Sequence, residues 1–260
     1  MKSALTVATL GAFALVSVAD EIAIGRQAQA QVRQQVPELR DATVQNYVTN
    51  VGRHLAAHAQ GARYPYSFSV ANYKEINAFA LPGGPVWVHR GAMEAARNES
   101  QFAGVLAHEI AHIARRHAAE QLTKATIANF GLGLLGSLLG HGGGATAAQV
   151  AARFLASGVF LKFSRDDEAE ADRVGAQIMS RAGWDPRGMV EFMEILRERQ
   201  RHDPGSVEVF FSSHPSPAGR IERLNQIVPR LKHGRRDSAQ FHAIGQRLRQ
   251  LPPARSMPRR

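Results

Sequence analysis

The residues that stand out for their chemistry are two histidines and a glutamate in the run His108-Glu109-Ile110-Ala111-His112. On a helix, residues four apart lie on one face, so both imidazoles can reach one divalent cation, and the glutamate can approach a water beside it. The flanking residues are apolar, so this helix is expected to be buried, where two unpaired imidazoles and a carboxylate would be costly. The run therefore predicts a zinc site that activates water for hydrolysis.

A catalytic zinc ion usually has three protein ligands and one open position, so a third ligand must come from elsewhere in the chain. His117 follows His112 by five residues, which on a continuous helix turns it about 140° off the ligand face. A downstream acidic run offers Glu168 and Asp172 on one helical face, whereas Glu170 points about 200° away from Glu168. We predict Glu168 as the third ligand and Asp172 as the partner of the second ring nitrogen of a ligating histidine. His117 is expected to be structural or exposed.

Composition limits the chemistry further. The 260 residues contain no cysteine, which excludes thiol catalysis, cysteine-ligated zinc, iron–sulfur clusters and disulfide frameworks. Hydrophobic residues make up 44% of the chain, enough for one sizeable core. Any metal must therefore be held by histidines and carboxylates.

Most of the formal net charge of +10 lies at the C-terminal end. Residues 231–260 contain eight Lys or Arg against Asp237 alone, or +7, so residues 1–230 are nearly neutral. We expect a domain of residues 20–230 followed by a basic C-terminal arm, whose amphipathic helix lies on anionic lipid or is simply solvated. Nucleic acid is not expected as a partner, because aromatic interleaving and a known binding module are absent.

The elements that must position these side chains follow from hydrophobic periodicity and turn residues. Asp41 is a predicted helix N-cap, and the turn Pro82-Gly83-Gly84 joins two predicted short strands. The predicted strand before that hairpin spans 66–70, and the predicted helices span 22–36, 41–57, 100–122, 165–181 and 186–202. This order predicts a predominantly helical α+β fold.

Four motifs occur in an order that resembles the zinc metallopeptidases of the BepA, LoiP and HtpX type, relatives of the CAAX prenyl endopeptidase within the gluzincins. The motifs are NAFALPGG from Asn77, HEIAHIARRH from His108, FSRDDEAEAD from Phe163 and SSHPSPAGRI from Ser212. The resemblance covers roughly residues 18–228. It implies a gluzincin-type metallopeptidase domain with a small antiparallel sheet whose edge strand faces the active-site cleft.

The resemblance also implies residue roles and an activity. One Zn²⁺ per chain would be bound by His108, His112 and Glu168. Glu109 would be the catalytic base in the internal cleavage of proteins. His214 and Arg220 become candidates for stabilising the oxyanion. His214 has an alternative role, because in similar proteins it lies in a loop over the metal and can fill the open position, which would hold the enzyme latent.

The hairpin around Pro82 suggests how a substrate binds. An edge strand with free N–H and C=O groups captures an extended peptide by strand addition, without demanding a particular sequence. We predict that Ala78, Phe79 and Ala80 form this edge. The alternative is an ordinary hairpin packed in the core.

Two segments bear on localisation. Lys2 and the apolar run 4–18 resemble a signal peptide of residues 1–19, cleaved after Ala19, which predicts export to the periplasm or cell envelope; the alternative is a first helix of the mature domain. The apolar, glycine-rich segment 126–144 is either a flexible apolar lid or membrane-touching plug near the cleft, or a buried helical hairpin.

Taken together, the sequence predicts a zinc endopeptidase that acts on misfolded or misassembled envelope proteins. Polypeptides are its expected substrates, with possible peripheral contact to the membrane or to envelope proteins. Two alternatives stay open. One is a chaperone-like binding protein whose metal is held latent by His214, and the other is a zinc hydrolase that cleaves a different amide.

Overall fold

The computed structural model describes residues 16–124, 162–215 and 218–258. The predicted plug at 126–144 and most of the predicted signal peptide lie outside these residues. The strands are β1 (Ser67–Ala71), β2 (Ala78–Ala80) and β3 (Pro85–His89). The helices are α1 (Val18–Gln35), α2 (Ala42–Ala56), α3 (Arg90–Ala95), α4 (Glu99–Ala114), α5 (Arg165–Arg181), α6 (Arg187–His202), α7 (Glu208–Ser213), α8 (Ala218–Ile227) and α9 (Ala239–Gln250).

Helices α4 and α5, which carry the predicted ligands, begin at side-chain caps. The Asn98 side chain accepts a hydrogen bond from the Gln101 N–H at 3.1 Å, and Ser164 forms a capping box with Asp167. Every residue of α4 is buried, as its apolar sequence predicts. Helix α5 has the predicted bounds, 165–181.

The predicted continuous helix over 100–122 is wrong, because α4 ends at Ala114 and a new helical stretch covers residues 117–124. Arg116 separates the two with φ at 63°, in the left-handed region that L-residues rarely adopt. The Arg116 guanidinium is bound to the buried Glu21 carboxylate of α1, with Nε 2.6 Å from Oε1. A distant ion pair therefore stabilises a break that local periodicity does not reveal.

The sheet has the order β1-β3-β2 and is mixed rather than antiparallel. The hairpin β2–β3 is antiparallel as predicted, but β1 runs parallel to β3 because the chain crosses over before it enters the hairpin. The turn uses Gly83 at φ 73°, and a Cβ there would lie 2.5 Å from the Glu21 carbonyl oxygen. Helix α1 thus packs directly on the turn that ends the edge strand.

The core is organised around α4, whose most extensive contacts are with α5 and α6 and which also touches α2 and β2. Gly175 permits the close approach of α5, because a Cβ there would lie 3.2 Å from the Ala107 carbonyl oxygen. The predicted helical fold with a small sheet is confirmed, and the sheet flanks the helix that carries the first two ligands.

The C-terminal segment is part of this core, so the expectation of a separate basic arm over 231–260 is wrong for the described residues. Helix α9 is amphipathic and basic as predicted, but its apolar side chains Phe241, Ile244 and Leu248 are buried in the main core. The buried Arg90 guanidinium donates to the carbonyls of Leu248 and Pro252 at 2.7 Å each. The sequence shows the apolar face but not that the domain covers it.

At the N-terminal end, Ser17 and Asp20 form a capping box for α1, and Ile24, Ala28 and Val32 pack in one cluster with Trp87 of the sheet. The predicted cleavage point after Ala19 lies in the first turn of α1, and the signal peptide stays a prediction. Among the described helices, none combines the length and hydropathy needed to cross a bilayer.

Candidate metal centre

Four buried side chains converge at the C-terminal half of α4. One donor atom from each of His108, His112, Glu168 and His214 lies within 4.8 Å of the others. His112 Nε2 is 3.0 Å from His108 Nε2 and 3.3 Å from Glu168 Oε1. His214, directly after α7, has Nδ1 at 2.8 Å from the same carboxylate oxygen. The structure thus brings together the three predicted ligands and adds His214 as a fourth donor.

The chemistry of this cluster fits a zinc ion. Both carboxylate oxygens of Glu109 are buried and have no hydrogen-bond donor among the described residues. Buried carboxylate oxygens without donors are unfavourable unless a cation neutralises them. Two imidazoles and a carboxylate are also the donor set of many catalytic zinc sites.

Asp172 and Arg220 form the support beneath the cluster. His108 Nδ1 lies 3.1 Å from Asp172 Oδ1, on the ring side opposite the cluster. Arg220 donates from Nε and Nη2 to the two Asp172 oxygens at 2.7 Å each, which is a bidentate pair. This places Asp172 where it fixes the ring orientation of His108, with Arg220 holding it there.

Arg220 also reaches the third predicted ligand. Its Nη1 lies 2.5 Å from Glu168 Oε2, an ion pair whose geometry does not make a hydrogen bond. All of these groups are buried, so the guanidinium is committed to two carboxylates of α5. In this arrangement the Arg220 guanidinium faces the metal donors.

The electrostatics separate the two glutamates. Burial raises the pKa of Glu109, against the opposing effect of His214. Burial alone would also raise the pKa of Glu168, but His214 and Arg220 hold it well below its usual range. Burial lowers the pKa of His112 well below its usual range, so that ring is neutral. The site therefore combines an ionised carboxylate and a neutral imidazole with a carboxylate of raised proton affinity.

Two aromatic rings hold the histidines in place. Phe163 stacks on His112 with ring centroids 3.9 Å apart, and Phe210 of α7 stacks on His214 at 4.7 Å. Phe163 belongs to the acidic motif that carries Glu168, so one sequence segment supplies both a predicted ligand and the ring beside another.

His117 is not among the four grouped donors, in line with the structural role expected of it, but it lies beside the ligand His112. His117 is buried, and its Nδ1 lies 2.9 Å from Nδ1 of His112. Its Nε2 lies 3.3 Å from Oε2 of Glu170, the carboxylate that helical geometry had set aside. The 140° rotation assumed a continuous helix, and the break at Arg116 removes that assumption. The sequence did contain a signal for this position, because His117 is the third histidine of the HEIAHIARRH motif.

The predicted substrate strand β2 lies at the edge of the sheet. Its register with β3 is Ala78↔Val88, Phe79↔Trp87 and Ala80↔Val86. The Leu81 N–H donates to the Pro85 carbonyl at 2.8 Å, and ladder bonds alternate, so Phe79 bonds to β3 while the backbone groups of Ala78 and Ala80 point away from it. The Phe79 side chain is buried, and this residue attaches β2 to β3.

Comparisons with known proteins place the chain in a family. The family model described as peptidase family M48 matches residues 42–228. The chain is 34% identical over 224 residues to the beta-barrel assembly-enhancing protease of Escherichia coli (strain K12), a match that covers 82% of this chain and 45% of that protein. It is 31% identical over 196 residues to the mitochondrial metalloendopeptidase OMA1 of Schizosaccharomyces pombe, covering 75% of this chain and 56% of that protein. The chain thus spans about half the length of the curated relatives it matches.

The family match spans most of the chain and contains all the residues of the metal centre. It confirms the resemblance that the four sequence motifs indicate. The chain belongs to peptidase family M48.

Proposed function

We propose that this chain is a zinc endopeptidase that cleaves polypeptides internally. The observation that carries the proposal is the buried cluster of His108, His112 and Glu168 beside Glu109, whose two carboxylate oxygens have no donor among the described residues. Two buried carboxylate oxygens without donors beside a cluster of metal-binding side chains are what a catalytic metal site with a general base would present.

His108, His112 and Glu168 would hold the zinc ion. When bound, zinc supplies Lewis-acid polarisation of a carbonyl and lowers the pKa of water. Glu109 is the proposed general base, because both of its oxygens lack a hydrogen-bond donor among the described residues and burial raises its pKa, which favours proton uptake. As the C–N bond breaks, the same carboxyl group delivers that proton to the nitrogen of the leaving amine.

His214 supports a latent form of the enzyme. Its ring is buried, and its Nε2 lies 3.6 Å from Glu109 Oε1 while its Nδ1 contacts Glu168. In this position it is a fourth donor, and we propose that it fills the coordination position that a substrate carbonyl would take. We infer that the His214 side chain must leave the donor cluster before catalysis, after which it is free to donate to the oxyanion.

The edge strand supports a polypeptide substrate. The backbone N–H and C=O groups of Ala78 and Ala80 point away from β3, and these groups could pair with an extended peptide. Strand addition binds the substrate through its main chain, which suits a peptidase that acts on many unfolded sequences. Phe79 would hold the strand in place by stacking on Trp87, with centroids 6.3 Å apart and planes at 3°.

Export to the periplasm or cell envelope, misfolded or misassembled envelope proteins as substrates, and peripheral membrane contact are part of this proposal. A relative named a beta-barrel assembly-enhancing protease supports the envelope assignment. N-terminal sequencing of exported protein tests cleavage after Ala19. Because α9 buries its apolar face, any lipid contact by this helix would depend on its exposed arginines, and flotation with anionic liposomes should be abolished by high salt.

The test of activity compares zinc-loaded wild type, Glu109→Gln and His214→Ala on casein. Glu109→Gln is nearly isosteric and should abolish cleavage while keeping bound zinc. His214→Ala should cleave faster than wild type, because it removes the fourth donor. The proposal fails if wild type and His214→Ala both contain zinc and both leave casein intact.

A chaperone-like binding protein is the second candidate, and the burial of His214 in the metal centre favours it. Such a protein would capture extended peptides at β2 and never open the site. It predicts that zinc-loaded wild type and Glu109→Gln suppress aggregation of an unfolded protein equally and that no variant produces fragments.

A further inference from the structure

We propose that His117 and Glu170 are positioning residues for the zinc ligand His112, connected to it by a directional hydrogen-bond relay. This inference rests on the proposed zinc site. It concerns two residues that helical geometry placed away from the ligand face. Its prediction is a change in zinc affinity, which can be measured without an assay of proteolysis.

The two nitrogens of His112 face different partners. Its Nε2 points into the cluster, 3.0 Å from His108 Nε2 and 3.3 Å from Glu168 Oε1. Its Nδ1 faces His117 Nδ1 at 2.9 Å, and the far nitrogen of His117 lies 3.3 Å from Glu170 Oε2. The three side chains thus form a chain that leads from the metal donors toward solvent.

Only one arrangement of protons satisfies this chain when His112 binds a cation through Nε2. That nitrogen must present its lone pair, so the ring proton is on Nδ1 and is donated to Nδ1 of His117. His117 then carries its own proton on Nε2 and donates it to the Glu170 carboxylate. The relay therefore fixes both the tautomer and the ring orientation of His112.

The other histidine ligand is oriented by a shorter route. His108 Nδ1 lies 3.1 Å from Asp172, with no residue between them. Both routes end on carboxylates of α5, the helix that also supplies Glu168. His112 lies farther along α4, and His117 bridges the gap between its ring and α5.

The fold is built to bring His117 back toward His112. Arg116, the residue before His117, adopts a left-handed conformation just after the end of α4, and Glu21 binds its guanidinium. Tyr64 donates to the second oxygen of Glu21 at 3.1 Å, so this buried carboxylate is paired on both sides. A non-glycine residue in this conformation costs free energy. The helix break that it creates brings His117 next to His112.

Glu170 is itself anchored. Arg115 and Arg173 lie at 3.0 Å and 3.1 Å from its Oε1, which leaves Oε2 for His117. Both arginines form ion pairs with the carboxylate of Glu170. An ionised Glu170 can only accept, which sets the direction of the whole relay.

A matched pair of variants tests the relay. His117→Asn places an amide oxygen near the position of Nδ1 and keeps an acceptor for His112. His117→Leu introduces a side chain of nearly the same shape as asparagine that has no acceptor. Zinc affinity is measured by competition with a chromophoric chelator on the full chain. We expect His117→Leu to bind zinc about ten- to a hundredfold more weakly than wild type, and His117→Asn to stay within about threefold, since outer partners of ligands contribute on this scale.

The NMR-detected tautomer of His112 in the zinc-loaded chain gives a second readout, with the proton on Nδ1 expected in wild type and His117→Asn. Equal zinc affinity of the two variants would overturn the relay, because shape alone would then explain the burial of His117. A His112 proton on Nε2 would overturn it too. If wild type does not bind zinc stoichiometrically, the proposed function itself fails, so the two failures are distinguishable.

Discussion

The pH dependence of stability should contain a contribution from His89, the last residue of β3. The ring is 1% exposed, and its Nδ1 lies 3.1 Å from the Glu75 carbonyl oxygen, to which it donates. Burial lowers the pKa of His89 to about 4 from 6.5, partly offset by that hydrogen bond. The backbone N–H of His89 also bonds to Asn77 at 2.9 Å, so this residue secures the start of the substrate strand.

The sign follows from proton binding in the two states. Between pH 6.5 and 4 the unfolded chain binds a proton at this ring and the folded chain does not, so acid favours unfolding. Two protonation equilibria with these pKa values give a loss of about 2 kcal/mol in the free energy of unfolding between pH 7 and pH 5. The loss reaches about 3 kcal/mol at pH 4 by the same relation.

The assay is urea unfolding of wild type and His89→Asn at pH 7 and pH 5, with chelator so that both proteins are metal-free. Asparagine keeps a donor for Glu75 but does not titrate. All other titrating groups are common to the two proteins, so the difference between their pH dependences isolates His89. A loss of stability on acidification that is equal in the two proteins would refute the reasoning.

Three further outcomes are expected. Asp172→Asn should weaken zinc binding about ten- to a hundredfold in chelator competition, and unchanged affinity would remove it from the support of His108. Leu248→Ala should lower the free energy of unfolding by about 2–5 kcal/mol in urea. A negligible loss would instead support a separate basic C-terminal arm. Gly25→Ala should destabilise, because its Cβ would lie 1.8 Å from the Pro82 carbonyl oxygen, while Gly205→Ala, with no atom within 4 Å, serves as the control in thermal unfolding.

Much of the site could be predicted because its groups lie at fixed offsets on single helices. His108 and His112 are four residues apart on α4, and Glu168 and Asp172 are four apart on α5, so each pair shares a face whatever the rest of the fold does. The caps of these helices are equally local, and α5 begins at the predicted residue, Arg165. Motif order was enough to indicate the family.

The missed features depend on contacts between distant segments. His117 reaches His112 only because Glu21 and Tyr64, far away in sequence, stabilise a left-handed Arg116. The parallel pairing of β1 with β3 is set by a crossover, which strand alternation does not encode.

The sequence by itself determined the type of metal, the residues able to bind it and the helices that carry them, because those follow from donor chemistry and helical spacing. Only the tertiary structure decided that Arg220 is committed to Asp172 and Glu168, that His214 is buried among the donors, and that the basic C-terminal helix packs into the core. Charge and amphipathicity indicate which kinds of contact a side chain or a helix can make. The partner that it contacts is fixed by long-range packing, which no local pattern specifies.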